Sequence, residues 1–413
     1  MVFFNRPLGR VRDQRWGREQ MDFRDTPEEA AWRREVRAFV QRELPQSFKD
    51  DLLRQLSPGT QDWDQPELRI WRSRLAEKGW MAPSWPREYG GAGLSLMQQF
   101  IMSEEFAEAN APRVGGNGID ILGPTLIVYG TDAQKRELLP KILSGETVFA
   151  QGFTEPEAGS DLASLRTEAT HDGDDYILSG HKIWTTGALQ SNWMFLLART
   201  NAYVPKHRGI SYFLVEMSSP GIDVRSMPDI TGSPLASQVY FKDVSVPAAN
   251  LVGEENQGWY IATTTLNFER AAQMGSIVGL RRAVEELMRL HAEGKGAFSG
   301  AASLLRLELA DRLIEVQVAR MMAYRIVSML QRGQEPVYQA SMMKTFLAET
   351  TQRVAQTGMQ VLGLPAALRD ESGPAIAWVQ RLYVASLALT ISMGTSEVLR
   401  NIIATRGLGL PRG

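Results

Sequence analysis

At 413 residues the chain is too long for one core of ordinary size, so it divides into about two or three domains. Its 44% hydrophobic and 22% charged residues are the balance of a globular protein, and a net charge of −2 gives no broad pull toward nucleic acid or anionic membrane. The lack of cysteine excludes disulfides, thiolate metal sites and thiol catalysis together. The four histidines (His171, His181, His207 and His291) have no metal-ligand spacing, and no apolar run approaches the ~18–20 residues of a membrane span. The expected location is cytoplasmic.

Residues 1–20 form a basic extension, with Arg6, Arg10, Arg12, Arg15 and Arg18 set against Asp13 and Glu19. A transit peptide is one reading, but the segment is short and has no serine. The simpler reading makes Met21 an alternative start, since Asp25-Thr26-Pro27 follows as a helix cap with proline in the first turn. Residues 21–146 then read as an all-α domain. Apolar residues recur at helical spacing in Trp32-Val36-Phe39-Val40, Ile70-Trp71-Leu75 and Phe100-Ile101-Phe106-Ala107. A breaker-rich loop, Trp85 to Gly93, interrupts them, and Thr131-Asp132 caps a helix from Gln134 to Leu143.

From 147 to 252 the pattern changes to short β runs separated by turns. Tyr176-Ile177-Leu178, Trp193 to Leu197, Ile210 to Val215 and Val239-Tyr240-Phe241 are punctuated at Asp172-Gly173-Asp174 and Ser219-Pro220-Gly221. An antiparallel barrel or sandwich of about 100 residues follows from that spacing. Residues 253–413 return to helical periodicity in segments 259–293, 300–332, 336–363 and 374–391, which suggests a four-helix bundle. Small residues at Ala271, Ala272, Gly275 and Gly279 would let its helices approach closely.

The most informative stretch is Gln151-Gly152-Phe153-Thr154-Glu155-Pro156-Glu157-Ala158-Gly159-Ser160-Asp161, which leaves a β run and turns at Pro156 and Gly159. A second, Gly180-His181-Lys182-Ile183-Trp184-Thr185-Thr186-Gly187, sets one indole among hydroxyls. A flat, polar-edged ring such as a flavin needs those groups: an aromatic to stack on, and hydroxyls and N–H groups for its nitrogens and carbonyls. Taken singly, Trp184 reads as a core or interface aromatic, Thr154 and Thr186 as strand residues, and Gly159-Ser160 as a turn. Their joint spacing gives them a cofactor reading.

From Met21 to its end the chain resembles the acyl-CoA dehydrogenase family. The resemblance rests on Thr154-Glu155-Pro156-x-Ala158-Gly159-Ser160-Asp161, on Lys182-Ile183-Trp184-Thr185-Thr186, on Gly258-Trp259 where the bundle begins, and on Gly394-Thr395-Ser396-Glu397. It implies a mainly α protein with an N-terminal all-α domain, a middle antiparallel β-barrel and a C-terminal four-helix bundle. It also implies FAD as cofactor, an acyl-CoA thioester as substrate, α,β-dehydrogenation as the reaction and an electron-transferring flavoprotein as acceptor. The expected assembly is a tetramer built on the bundle. By the same resemblance Gln151, Phe153 and Thr154 line the pyrimidine side of the flavin, Trp184 packs on the ring, and Thr186 donates near N5. Ser160 touches FAD or the CoA-side groups, Thr395 and Glu397 follow the loop at the pyrophosphate or adenosine, and Arg270 lies beside the active site.

The reaction needs a carboxylate base for the α-proton, best with a pKa raised by burial, and donors for the developing enolate. In most members the base is a glutamate just before the Gly-Thr-Ser turn, where this chain has Met393, and methionine takes no proton. Branched-chain and long-chain members instead carry it on the first long bundle helix, before an arginine. Here that pair is Glu269-Arg270, so Glu269 is the expected base and a branched, long or polycyclic acyl group the expected substrate. The competing reading of Glu269 is a surface residue paired with Arg270 or with Arg281 and Arg282. Residue 393 keeps its backbone N–H for the thioester oxygen, next to Gly394.

Two more departures bear on assembly. The Arg-x-x-Phe-Gly pattern that reaches a neighbour's FAD is missing from His291 to Gly300, and Gln-x-x-Gly-Gly is reduced to Gln360-Val361-Leu362-Gly363-Leu364-Pro365. A heterotetramer with a related subunit accounts for both, a homotetramer being the alternative. Two further functions stay open: a non-catalytic partner subunit, and a flavin oxidase relative acting on a carrier-bound acyl group.

Overall fold

The computed structural model describes residues 25–49, 65–113, 115–232, 236–271, 276–293, 302–367 and 374–411. The basic extension and Met21 lie outside these residues. Thr26 opens α1 (Pro27–Glu43) with a reciprocal cap: its hydroxyl accepts from Glu29 N at 3.2 Å, and the Glu29 carboxylate accepts from Thr26 N at 2.8 Å. After α2 (Gln46–Lys49) and α3 (Pro66–Glu77), the same box recurs at Ser95/Gln98 for α4 (Leu96–Glu108). A six-residue π-helical stretch, Asn117–Leu122, runs into α5 (Gly123–Tyr129), and Thr131/Gln134 caps α6 (Asp132–Ser144). Val36, Phe39 and Val40 are buried with Trp71, Leu75 and Trp80, as their spacing predicts.

Seven strands form one curled sheet: β1 (Phe149–Gly152), β2 (Glu168–Asp172), β3 (Asp175–Lys182), β4 (Trp193–Arg199), β5 (Ile210–Glu216), β6 (Ile222–Met227) and β7 (Ala236–Pro247). Their order is β1-β4-β2-β3-β7-β6, with β5 on β4. The β2–β3, β3–β7, β4–β5 and β6–β7 ladders are antiparallel. Strand β4 departs from that pattern on two sides: it pairs in parallel with β1, Phe149 opposite Trp193 and Gly152 opposite Leu196, and with β2 at Glu168 opposite Arg199. Parallel pairing needs a long crossover, and here the crossover holds both flavin-type motifs and the β2–β3 hairpin. Strand β4 is buried on both faces. Phe195 and Leu197 join the core shared with the N-terminal helices, whereas Met194, Leu196 and Ala198 fill the inside of the curl.

The sheet leads into α7 (Gly258–Ala271). Gly258 is required there, because a Cβ would sit 2.5 Å from the Ser211 carbonyl carbon. Farther along α7, the Thr265 hydroxyl meets that of Thr125 in α5 at 3.0 Å, fully buried. The bundle proper is α8 (Ser276–Ala292), α9 (Ala302–Gln331), α10 (Val337–Leu362) and α11 (Pro374–Leu389), and α12 (Ser396–Ile402) packs on α10. Leu280, Val284 and Leu287 of α8 share a core with Val316 and Ala323, Val354 and Val361, and Trp378 and Val379 from the other three helices. Residues 272–275, between the two helices that occupy the first bundle segment, lie outside the described residues, as do 294–301. Among the described residues no helix is long and apolar enough to cross a membrane.

Candidate active site

The two motif stretches meet directly. Ile183 N donates to the Thr154 carbonyl at 2.9 Å, joining the end of β3 to the turn after β1. That turn closes on itself through Glu155 N to Ala158 O at 3.2 Å and Ala158 N to Glu155 O at 3.1 Å. Gly159 and Ser160 then lie exposed, and a Cβ at Gly159 would meet nothing within 4 Å. On the β3 side Thr185 is fully buried, its N–H and hydroxyl both donating to the Ser237 carbonyl, at 3.1 and 2.7 Å. Between these anchors Trp184 is 57% exposed, with φ at 58°, and Thr186 is exposed beside it.

Phe153 turns its side chain away from the exposed side of the turn. Its ring points into the core, edge-on to Phe195 at 5.7 Å and to Tyr212 at 5.9 Å, and only 5% of the residue is exposed. With Gln151 and Thr154 half-buried, Phe153 can serve a ligand through its backbone alone. The alternation of the β1 run turns that side chain inward.

Beneath this ledge is an ion pair. Lys182, with 0% exposure, donates from Nζ to Glu155 Oε1 at 2.8 Å and to the Phe153 carbonyl at 3.2 Å. The Glu155 carboxylate also accepts from Arg166 N at 2.6 Å and Thr167 N at 2.9 Å. Burial pushes the Glu155 carboxyl up, but the adjacent ammonium and these two N–H groups outweigh it and leave it below the usual range. Burial pulls the Lys182 ammonium down to about 8, against the opposing pull of Glu155. Both residues lie within the two motifs, but the family resemblance assigns neither a role. The signal in the sequence is slight: Lys182 is the one lysine or arginine in the two motifs, and Glu155 is one of three acids in the first, with Glu157 and Asp161.

The turn after α11 supplies the next part. Met393 and Gly394 are both left-handed, with φ at 54° and 92°. Five described non-glycine residues have positive φ: Asn110, Asp243, Asn256, Trp184 and Met393. Asparagine and aspartate visit this region readily, so Trp184 and Met393 are the two held there against their residue type. Strain of that kind gathers at functional sites. Lys344, 8% exposed, donates from α10 to the Leu389 and Gly394 carbonyls at 2.8 Å each. Thr395 caps α12, its hydroxyl accepting from Val398 N at 3.2 Å. Glu397 is exposed, its carboxyl held below the usual range by its own N–H and the Thr395 hydroxyl. Glu269 and Arg270 belong to the last turns of α7, but their side chains lie outside the described residues.

A cleft of 740 Å³ lies elsewhere, between α1, α4, α8 and α9. Its buried carboxylates Glu104 and Glu105 are met by Arg33 at 3.0 and 3.1 Å, by Arg320 at 2.7 Å and by Arg37 at 2.8 Å. These acids are already paired, and none of the motif residues lines the cleft. It is an ionic seam between the first domain and the bundle.

The donor set of the ledge fits a flavin. It presents an exposed indole, the Thr154 and Thr186 hydroxyls, and open space at Gly159 and Gly187, where a Cβ would meet no atom within 4 Å. Among the described residues no group of three or more His, Asp or Glu could hold a metal ion. The sequence matches three family models in succession: acyl-CoA dehydrogenase, N-terminal domain (residues 26–146), middle domain (150–244) and C-terminal domain (256–408). Acyl-CoA dehydrogenase IpdE1 of Mycobacterium tuberculosis is 37% identical over 357 residues, covering 86% of this chain and 91% of that protein. A solved structure described as Tcur3481-Tcur3483 steroid ACAD superposes with a TM-score of 0.83 at 31% identity, covering 95% of this chain and 100% of that one. The ChsE4-ChsE5 complex from Mycobacterium tuberculosis gives a TM-score of 0.76 at 35% identity, covering 95% and 100% of the two chains.

Proposed function

Because this chain belongs to the acyl-CoA dehydrogenase family, an oxidoreductase family of flavoproteins, we propose that it binds FAD and forms the α,β double bond of a bulky acyl-CoA thioester. The observation that carries the cofactor part is the ledge itself: Trp184 and the Thr154 and Thr186 hydroxyls stand exposed or half-exposed on two stretches joined by a buried ion pair. When bound, the flavin would accept the β-hydride and later yield both electrons to an electron-transferring flavoprotein. The chain's own residues do the rest. Trp184 packs on the ring, Gln151 and Thr154 bond its pyrimidine edge with the Phe153 backbone, and Thr186 donates near N5.

Glu269 takes the α-proton, since Met393 has no basic atom at the other position. Arg270 orients it, and the 393–394 backbone faces the thioester oxygen. Ser160 lies toward the CoA side, and Thr395 and Glu397 toward the outer part of the cofactor. A branched or polycyclic acyl group agrees with the relocated base and with the steroid ACAD among the similar structures. The ChsE4-ChsE5 complex supports an assembly with a related subunit over a homotetramer, and a cytoplasmic setting is part of the proposal. The test is anaerobic titration of the purified protein with an acyl-CoA panel. Glu269→Gln should keep FAD bound and abolish substrate-driven bleaching. Retained bleaching removes Glu269 from the mechanism, and bleaching only with an added subunit marks the chain as a partner.

A further inference from the structure

A fully buried ammonium is expensive to desolvate, by several kcal/mol even after relaxation. Where such a pair persists, the question is what it holds. Lys182 and Glu155 sit 27 residues apart in sequence, each one or two positions from a residue assigned to the cofactor. Lys182 Nζ reaches the carbonyl of Phe153, immediately before Thr154, and its own backbone leads through Ile183 to Trp184. The Glu155 carboxylate continues the chain of bonds to Arg166 N and Thr167 N, at the start of the hairpin that returns as β3. Arg199 of β4 closes the far side, donating to the Leu165 and Ala163 carbonyls at 3.1 and 2.7 Å. Gly180 marks how tightly these parts are drawn together, since a Cβ there would lie 2.4 Å from Thr167 Oγ1.

Resting on the flavin reading above, we propose that Lys182 and Glu155 are positioning residues: their ion pair clamps the Thr154 turn to the Trp184 strand end and so sets the spacing of the two sides of the cofactor ledge. Neither side chain touches the cofactor. Thr154 is tied through its carbonyl and Trp184 stands in a left-handed conformation, so neither can hold its place alone. A methionine at 182 with a glutamine at 155 would fill the same volume and keep an amide oxygen to accept from Arg166 N and Thr167 N, while the Phe153 carbonyl loses its lysine donor. Folding would be preserved and the register of the ledge lost.

The experiment compares the wild-type holoprotein with Lys182→Met, Glu155→Gln and the double variant Lys182→Met/Glu155→Gln. It measures urea unfolding of the apoprotein, FAD affinity, and the visible spectrum and fluorescence of the bound flavin. Each single variant leaves a buried group without its partner and is expected to lose stability. The double variant is expected to regain stability close to wild type, yet to bind FAD about ten-fold more weakly, with raised flavin fluorescence and a shifted absorbance envelope. A double variant that regains FAD affinity and the wild-type spectrum together with stability overturns the proposal, because the pair would then serve folding alone. If the double variant fails to unfold cooperatively, Lys182→Met loaded with excess FAD decides, and a wild-type spectrum there likewise overturns it. A wild-type protein that takes up no FAD defeats the flavin reading itself, which is a separate result.

Discussion

Lys344 and Gly394 are joined through space: the ammonium on α10 donates to the glycine carbonyl at 2.8 Å, so the turn bearing Met393 hangs from the first half of that bundle helix. The same ammonium holds the Leu389 carbonyl, one of the end carbonyls a helix leaves without an internal partner. Lys344→Met removes both bonds. The expected cost is about 1–3 kcal/mol by urea unfolding, with acyl-CoA bleaching slowed at least as much as stability falls. Unchanged bleaching with reduced stability would show that the turn keeps its shape without the lysine.

Trp184 permits a prediction in which two effects have opposite signs. A left-handed non-glycine residue costs about 1–2 kcal/mol, and an indole that is 57% exposed buries too little to repay it in the apoprotein. Trp184→Gly should leave apoprotein stability unchanged or raise it by about 1 kcal/mol, while FAD affinity falls. Parallel loss of both quantities, read by unfolding and by flavin titration, would make the indole a packing residue.

Met393 offers a gain-of-function test. If the base resides on α7 because position 393 lacks one, then Glu269→Gln/Met393→Glu should recover part of the bleaching lost in Glu269→Gln alone, by about ten-fold or more. Stopped-flow reduction of the bound flavin is the measurement. No recovery would mean that the 393 side chain no longer faces the reacting carbon.

Acid stability follows from two carboxylates. Asp25 is held below its ordinary value of 3.8, first by its bond to Arg33, and Glu155 ends below its ordinary 4.5 through Lys182 despite burial. Below those ordinary values the unfolded chain takes up protons that the folded chain refuses, so stability must fall as pH falls there. Above them the contribution is present in full. Thermal unfolding between pH 7 and pH 3 should therefore show a steeper acid limb for wild type than for Asp25→Asn or Glu155→Gln. Equal slopes would remove these two carboxyls as the cause.

The order of helical, strand and helical parts is readable from periodicity, and so are the caps at Thr26 and Thr131, because these depend on residues within a few positions of each other. The pairing of β1 with β4 is not, since four residues carry no register and the partner arrives after a crossover of some forty residues. Glu104 and Glu105 of α4 are acids with no partner close by in sequence on α1 or α9. They are buried because Arg33 and Arg37 reach them from α1 and Arg320 from α9. Phe153 illustrates the same limit at the site: its motif position does not say whether side chain or backbone faces the open side of the turn, and the ring is in the core. The burial of Lys182 has no mark in the sequence, because a lone lysine in a strand is ordinarily a solvated one.

Thr185 gives the ledge a place in time. Both of its donors end on Ser237, a residue that leaves the ribosome some fifty positions later, and the first strand gains its neighbour only with Trp193 to Leu196. A nascent chain exposed as far as Gly187 holds both motif strings but neither Ser237 nor the β4 neighbour of the first strand. On the flavin proposal, cofactor uptake waits for those later residues, and a fragment ending before Ser237 should emerge colourless.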